Sequence, residues 1–298
     1  MGAQIVFMAA LGLILGSFIS VVAHRVPLGQ SIVAPRSRCP SCGTQIAAYD
    51  NVPVFSYLAL RGRCRRCSTR VPLTYPLLEL GLAVAFVGAL LAFEDDGAKI
   101  ALAAAFAATL ATITLTDLEH RIIPNKVLIV SAVVGTAIVV ARLPDEIGER
   151  AIAAGAALLA LLVVKLVQPS GMGLGDVKLA GVMGLYLGSA VAPALLIGFA
   201  SGALFGLVLI ARHGSAARKT KVPFGVFLAI GGIVALFAGD AIVDWYVDSF
   251  TPGPSVHPAS TFSVHGICLD SRLVAGSHAR LGAGPQAPPE GARWLPGG

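Results

Sequence analysis

Charge is what this sequence has little of: Lys, Arg, Asp and Glu make up 13% of its 298 residues, against roughly 25% in a soluble domain. Hydrophobic residues account for 56% and the mean hydropathy is +0.80. This scarcity excludes a single soluble core and points to lipid as the solvent. No internal repeat is apparent, so nothing suggests a repeat array. Met1 to Gln4 carries no positive side chain, and positive charge follows the first apolar run at Arg25. That order argues against a cleaved signal peptide and for a retained, reversed anchor. Cysteine is sparse too: there are five, four of them in one short segment.

What is abundant is long apolar runs. They cover residues 5–22, 76–93, 100–116, 126–141, 151–167, 177–187, 193–211 and 222–247. A helix needs about 20 apolar residues to cross hydrocarbon with its backbone polar groups satisfied internally. The expected fold is therefore all-α, a polytopic membrane protein of about eight transmembrane helices. The sixth run is short, and only residues 188–193 separate it from the seventh, so charge has to decide whether the two are one helix.

With the amino terminus outside, the segment from His24 to Tyr75 is cytoplasmic, and it holds Arg25, Arg36, Arg38, Arg61, Arg63, Arg65, Arg66 and Arg70 against one acid, Asp50. Eight spans also place Arg212, Arg218, Lys219 and Lys221 inside. Glu94, Asp95, Asp96, Asp145, Glu146 and Glu149 then fall outside. Merging runs six and seven would break this pattern of basic loops on one side. The net charge of +6 and the pI near 9.3 are thereby explained by topology, and no nucleic-acid partner is expected.

Within the first cytoplasmic segment, Cys39-Pro40-Ser41-Cys42 is followed by Cys64-Arg65-Arg66-Cys67. Two such knuckles supply four thiolates to one tetrahedral zinc. The alternatives are a pair of disulfides or a redox pair, which a reducing compartment disfavours. A structural zinc on Cys39, Cys42, Cys64 and Cys67 would fold a loop too small for its own core.

Two acids sit at helix ends on the cytoplasmic side, Asp117 closing the third span and Asp176 opening the sixth. The helix dipole opposes negative charge at the first and favours it at the second. If the carboxylates meet, repulsion leaves them one shared proton, with Asp176 starting as base and Asp117 as acid. Such a pair activates water and protonates a leaving amine, as peptide hydrolysis requires. Taken singly, each is as well read as a helix cap or a solvated loop residue. Gly171, Gly173 and Gly175 precede Asp176 without the strand or fingerprint of a phosphate loop; their better use is to let the backbone approach a neighbouring helix. Lys178 reads most simply as snorkelling to the interface, and Pro124-Asn125 as a helix start. Gly198, Gly202 and Gly206 form a small-residue stripe suited to close helix packing.

These residues together resemble the bacterial prepilin peptidases, or type IV leader peptidases. The shared strings are Gly16-Ser17-Phe18, Cys39-Pro40-x-Cys42, Tyr49-Asp50-Asn51-Val52-Pro53, Leu60-Arg61-Gly62-Arg63-Cys64-Arg65-x-Cys67, Tyr75-Pro76 with Glu79, Asp117 with Ile123-Pro124-Asn125, and Gly173-Leu174-Gly175-Asp176-Val177-Lys178-Leu179. The resemblance runs from residue 12 to residue 232. It implies an intramembrane aspartic endopeptidase of the bacterial inner membrane that cuts type IV prepilin or pseudopilin leaders at the cytoplasmic face, with Asp117 and Asp176 catalytic and the four cysteines as zinc ligands. It also implies methylation of the new amino terminus with S-adenosylmethionine, linked to the cysteine loop and Glu79. Two positions depart from the family pattern: Thr74 replaces an arginine, and Val226 replaces the proline after Phe224-Gly225.

The expected organisation is a first transmembrane helix (1–23), a cytoplasmic four-cysteine loop (24–75), a membrane peptidase domain (76–250) and a disordered tail (251–298). In the tail, Cys268 reads as an incidental thiol, and His257, His265 and His278 are too scattered for a metal site. Asp50, Glu79 and Glu119 are candidates to attract a basic leader. An ion- or proton-coupled transporter built on the same acids, and an assembly factor using the cysteine loop, stand as alternatives.

Overall fold

The computed structural model describes residues 1–94, 96–169, 172–213 and 223–250. Asp95, Gly171, Arg218, Lys219, Lys221 and everything expected of the tail lie outside the described residues. Nine α-helices occur among those described: α1 Gly2–Arg25, α2 Phe55–Ala59, α3 Thr74–Ala92, α4 Gly97–His120, α5 Asn125–Arg142, α6 Ile147–Val167, α7 Leu174–Leu187, α8 Val191–His213 and α9 Phe224–Phe250. The only β-pairing among the described residues is two isolated bridges. The all-α polytopic expectation holds.

Seven helical stretches are long and apolar enough to cross a membrane, with Leu174–His213 counted as one. That stretch is broken at Gly188, whose φ of +59° ends α7, and by the 3-10 turn Gly188–Ala190. Neighbour contacts give the direction of each half. On α9, Gly232 lies against Met183 and Gly239 against Ala190, so α7 runs parallel to it. Gly231 lies against Ala194, while Gly202 lies against Phe224 and Phe227, so α8 runs antiparallel to α9. The halves therefore run in opposite directions, and eight apolar segments alternate through the bundle. At 14 residues, α7 is about 21 Å long, shorter than the roughly 30 Å hydrocarbon layer, and its face is almost wholly covered by protein.

Glycines set the close contacts. A Cβ on Gly12 would come 2.5 Å from the Ala83 Cα, and one on Gly16 would come 2.7 Å from the Glu79 Cα, so α1 and α3 cross with their backbones nearly touching. A Cβ on Gly184 would meet Ala153 and Ala154 of α6 at 2.6 Å. Of the expected stripe, Gly198 and Gly202 do face α9, while Gly206 faces open space. Such small-residue crossings recover dispersion contacts where lipid supplies no hydrophobic drive between helices.

The core is packed around Phe106, Leu110 and Ile113 of α4, Leu179 and Met183 of α7 and Leu228 of α9. Its polar atoms are satisfied across helices. Thr109 and Ser131 share a hydroxyl hydrogen bond of 2.8 Å, and the Tyr186 hydroxyl donates to the Ser131 carbonyl at 2.8 Å. Outward-facing apolar side chains such as Phe7, Phe18, Val133, Leu159 and Leu204 are exposed, as expected of a surface solvated by acyl chains.

Candidate active site and cysteine centre

The aspartate end of the bundle is where three helix termini converge. The helix α4 stops because Arg121 takes a left-handed conformation (φ +54°) and its N–H bonds the Asp117 carbonyl, an αL termination. This leaves Asp117 in the last turn, 5% exposed. The start of α9 comes to it: the Gly225 N–H donates to Asp117 Oδ2 at 2.8 Å, and the Val226 N–H is also directed at that carboxylate. A Cβ at Gly225 would sit 2.9 Å from Oδ2, so any larger residue there would displace the carboxylate. Val226 matters for a different reason: the proline at this position in the family pattern has no N–H to give.

Asp176 is in the first turn of α7 and 8% exposed. Its Oδ2 accepts from the Gly173 N–H at 3.0 Å, so it also caps its own helix. The backbones next to the two acids' sites both pack on Ile123. A Cβ on Gly175 would come 2.9 Å from the Ile123 Cβ, and one on Gly225 would come 3.3 Å from the Ile123 Cδ1. Of the described glycines before Asp176, Gly175 makes a close approach, but to Ile123 in the loop between α4 and α5 rather than to a neighbouring helix.

Lys178 does more than snorkel. Its ammonium donates to Asn125 Oδ1 at 2.9 Å, tying the segment after Asp117 to the helix that carries Asp176. Lys165 also lies outside the motifs quoted above. From the end of α6 it donates to the Pro169 carbonyl and, at 2.5 Å, to the Met172 carbonyl, gathering the loop that leads into Asp176.

The segment between α1 and α3 opens onto the same end. Cys39, Cys42, Cys64 and Cys67 offer sulfur atoms all within 4.8 Å of one another, and Cys39 and Cys67 are 3.7 Å apart at sulfur. Their two knuckles are built alike. In the first, Cys39 N–H bonds Thr44 O and Gly43 N–H bonds Cys39 O; in the second, Cys64 N–H bonds Thr69 O and Ser68 N–H bonds Cys64 O. Gly43 (φ +66°) and Ser68 (φ +58°) occupy the same left-handed position in each. The four thiols are free, so the disulfide alternative does not describe this arrangement. Hydrogen bonds from Thr44 push the Cys42 thiol below its ordinary pKa, backbone N–H groups of Cys67 and Arg66 do so for Cys64, and Thr69 does so for Cys67. The donor set and spacing fit a tetrahedral metal.

All three acids put forward to attract a leader have internal partners, Glu119 accepting from the Tyr75 hydroxyl at 3.2 Å. Asp50 accepts from Arg65 at Nε (2.9 Å) and at Nη2 (2.6 Å), a forked pair that holds its carboxyl below the usual range. Glu79 is buried, and its Oε2 accepts from the Val54 N–H at 2.8 Å. Val54 is the strained centre of a tight turn (φ +59°, ψ −50°) in which Phe55 N–H bonds Pro53 O at 2.5 Å. Glu79 therefore pins the cysteine segment to α3.

A family model described as the bacterial peptidase A24 N-terminal domain matches residues 10–93, and one described as the type IV leader peptidase family matches residues 104–210. The chain belongs to the type IV leader peptidase family. Similar proteins include the prepilin leader peptidase/N-methyltransferase of Burkholderia pseudomallei (strain K96243), 35% identical over 80% of this chain and 86% of that protein. The protein of the same name from Bacillus subtilis (strain 168) is 34% identical over 79% of this chain and 95% of its own length. The Aeromonas hydrophila protein is 31% identical over 80% and 92%. No solved structure matches the chain. Both family matches fall where the quoted motifs do, the first over the cysteine knuckles and Glu79, the second over Asp117 and Asp176.

Proposed function

We propose that this chain is a prepilin leader peptidase of the bacterial inner membrane that hydrolyses the leader peptide bond with Asp117 and Asp176, at the cytoplasmic face. The observation that carries this reading is the convergence of two buried carboxylates from α4 and α7 at one end of a lipid-facing bundle, in a chain of the leader peptidase family. Such a site meets a substrate that is itself an apolar helix with a basic leader at the membrane surface. Asp176 takes a proton from water, and the resulting hydroxide attacks the scissile carbonyl. Asp117 then gives its proton to the leaving nitrogen as the C–N bond breaks. The backbone N–H of Gly225 holds Asp117, and that of Gly173 holds Asp176, so neither carboxylate has to be ordered during the reaction.

Cys39, Cys42, Cys64 and Cys67 would hold a structural zinc, which folds the segment without entering the hydrolysis. N-methylation of the new amino terminus is proposed on the relatives' names; S-adenosylmethionine would supply the methyl group. Glu79 is occupied in pinning Val54, and the structure assigns no residue to that cofactor. Family membership and the relatives' names lend nothing to the transporter alternative.

The test is cleavage of a purified prepilin by the full chain in detergent. Asp117→Asn and Asp176→Asn are each expected to lose at least about 100-fold in rate, the lower range for a general acid or base, with helix content unchanged. Wild-type rates in either variant would remove that aspartate from the mechanism.

A further inference from the structure

His24 is the next-to-last residue of α1, while Glu119 and His120 are the last two residues of α4, in the same final turn as Asp117. The three side chains each offer one ligand atom, and these atoms all lie within 4.8 Å of one another. Glu119 is held in place, because the Tyr75 hydroxyl donates to its Oε1 at 3.2 Å. Its Oε2 faces His24 Nδ1 at 3.7 Å and His120 Nε2 at 3.7 Å, too far for hydrogen bonds. His120 Nε2 is buried yet has no hydrogen-bond partner among the described residues, and such an orphaned atom calls for an explanation, an ion being one.

We propose that His24, Glu119 and His120 form a second metal site, binding one divalent transition-metal ion of the zinc type. Two imidazole nitrogens and one carboxylate are a donor set for zinc, cobalt or nickel, whereas magnesium and calcium call for oxygen alone. A triangle of that size leaves its centre less than about 1 Å beyond an ordinary metal–ligand bond of about 2.0–2.2 Å, a gap that rotamer adjustment of the exposed His24 closes. The bound ion would satisfy His120 Nε2 and fasten the end of α1 to the aspartate-bearing end of α4. In this role it acts on the position of Asp117 through α4 and takes no part in bond breaking. The site is separate from the cysteine centre and does not depend on what that centre holds.

The experiment is metal content per chain for the purified full-length protein, loaded with zinc and dialysed, beside His24→Ala and Glu119→Gln. His24 is 58% exposed at its side chain, so its truncation removes a ligand without opening a core. Each variant is expected to hold one zinc ion fewer than the wild type, with the four knuckle thiols alkylated no faster. The comparison is a difference, so it reads this site even if the cysteines hold nothing. Equal zinc content in wild type and both variants would overturn the proposal, leaving a solvated histidine–glutamate cluster.

Discussion

Asp50 and Arg65 show how a single ion pair can organise a segment that has little apolar material of its own. The forked bond joins the short 3-10 turn Ala48–Asn51 to the second cysteine knuckle, and the Arg65 guanidinium also lies over the Tyr49 ring, 5.4 Å from its centroid. Because the folded Asp50 pKa is lowered by Arg65, the stabilisation is fully present above the ordinary aspartate value of about 3.9. It is lost as pH falls through the lowered folded value. Limited proteolysis of residues 24–73 should therefore speed up for the wild type only in acid. Asp50→Asn should be cut faster already at neutral pH and should show a weaker acid dependence. Equal susceptibility of the two proteins at neutral pH would show that the pair is an ordinary surface contact.

Close helix crossings carry the next level of organisation, and here a single methyl group is enough to test the account. A Cβ on Gly231 would collide with the Ala194 carbonyl oxygen and come 2.8 Å from the Gly198 N. Gly231→Ala has to push α8 from α9, and α9 is the helix whose first turn holds Asp117. The expected cost is about 1–3 kcal/mol, the range for forced overpacking. It should be read as a lower thermal midpoint in detergent together with slower leader cleavage. Gly206→Ala, on the same α8 surface but facing open space, is expected to match the wild type. Unequal legibility in the sequence follows from the same physics. The four cysteines can be read as one cluster from the spacing of their two knuckles, whereas Asp117 and Asp176 have no dictated spacing and stand out only through their places at helix ends and the family resemblance. The length and polarity pattern likewise told α7 from α8, since only two spans keep the basic loops together. The Gly225 N–H could not be read, because it is a backbone donor 108 residues from the carboxylate it serves. The Gly12 and Gly16 crossing had a signal in its four-residue spacing, but which helix it met depended on tertiary contact. Asp50 and Glu79 looked available for substrate because nothing local announces Arg65 or Val54 as their partners.

At the scale of the whole molecule, the alternation of eight segments divides the loops between two faces, and we propose that their division by charge orients the bundle. One face collects the segment from Val26 to Leu73 with its arginines, the residues between α4 and α5, and Arg212 at the end of α8. The other collects Glu94 and Asp96 before α4, and Asp145, Glu146 and Glu149 at the start of α6. There the acids are drawn into local pairs: Arg150 donates to Glu146 at 2.6 Å, and Glu149 accepts from the Ser189 N–H at 3.0 Å. Basic loops are retained on the cytoplasmic side and acidic ones give little resistance to translocation. The aspartate end should therefore face the cytoplasm, where a basic leader is presented before export. Cysteine reporters settle this directly in intact cells treated with a membrane-impermeant maleimide. Asp145→Cys, on the acidic face, should label once the outer barrier alone is opened. Lys126→Cys, beside the aspartates at the start of α5, should label only after the inner membrane is permeabilised. The reverse pattern would put the dyad on the far side of the membrane from any newly made leader, and the proposed reaction would have no substrate there.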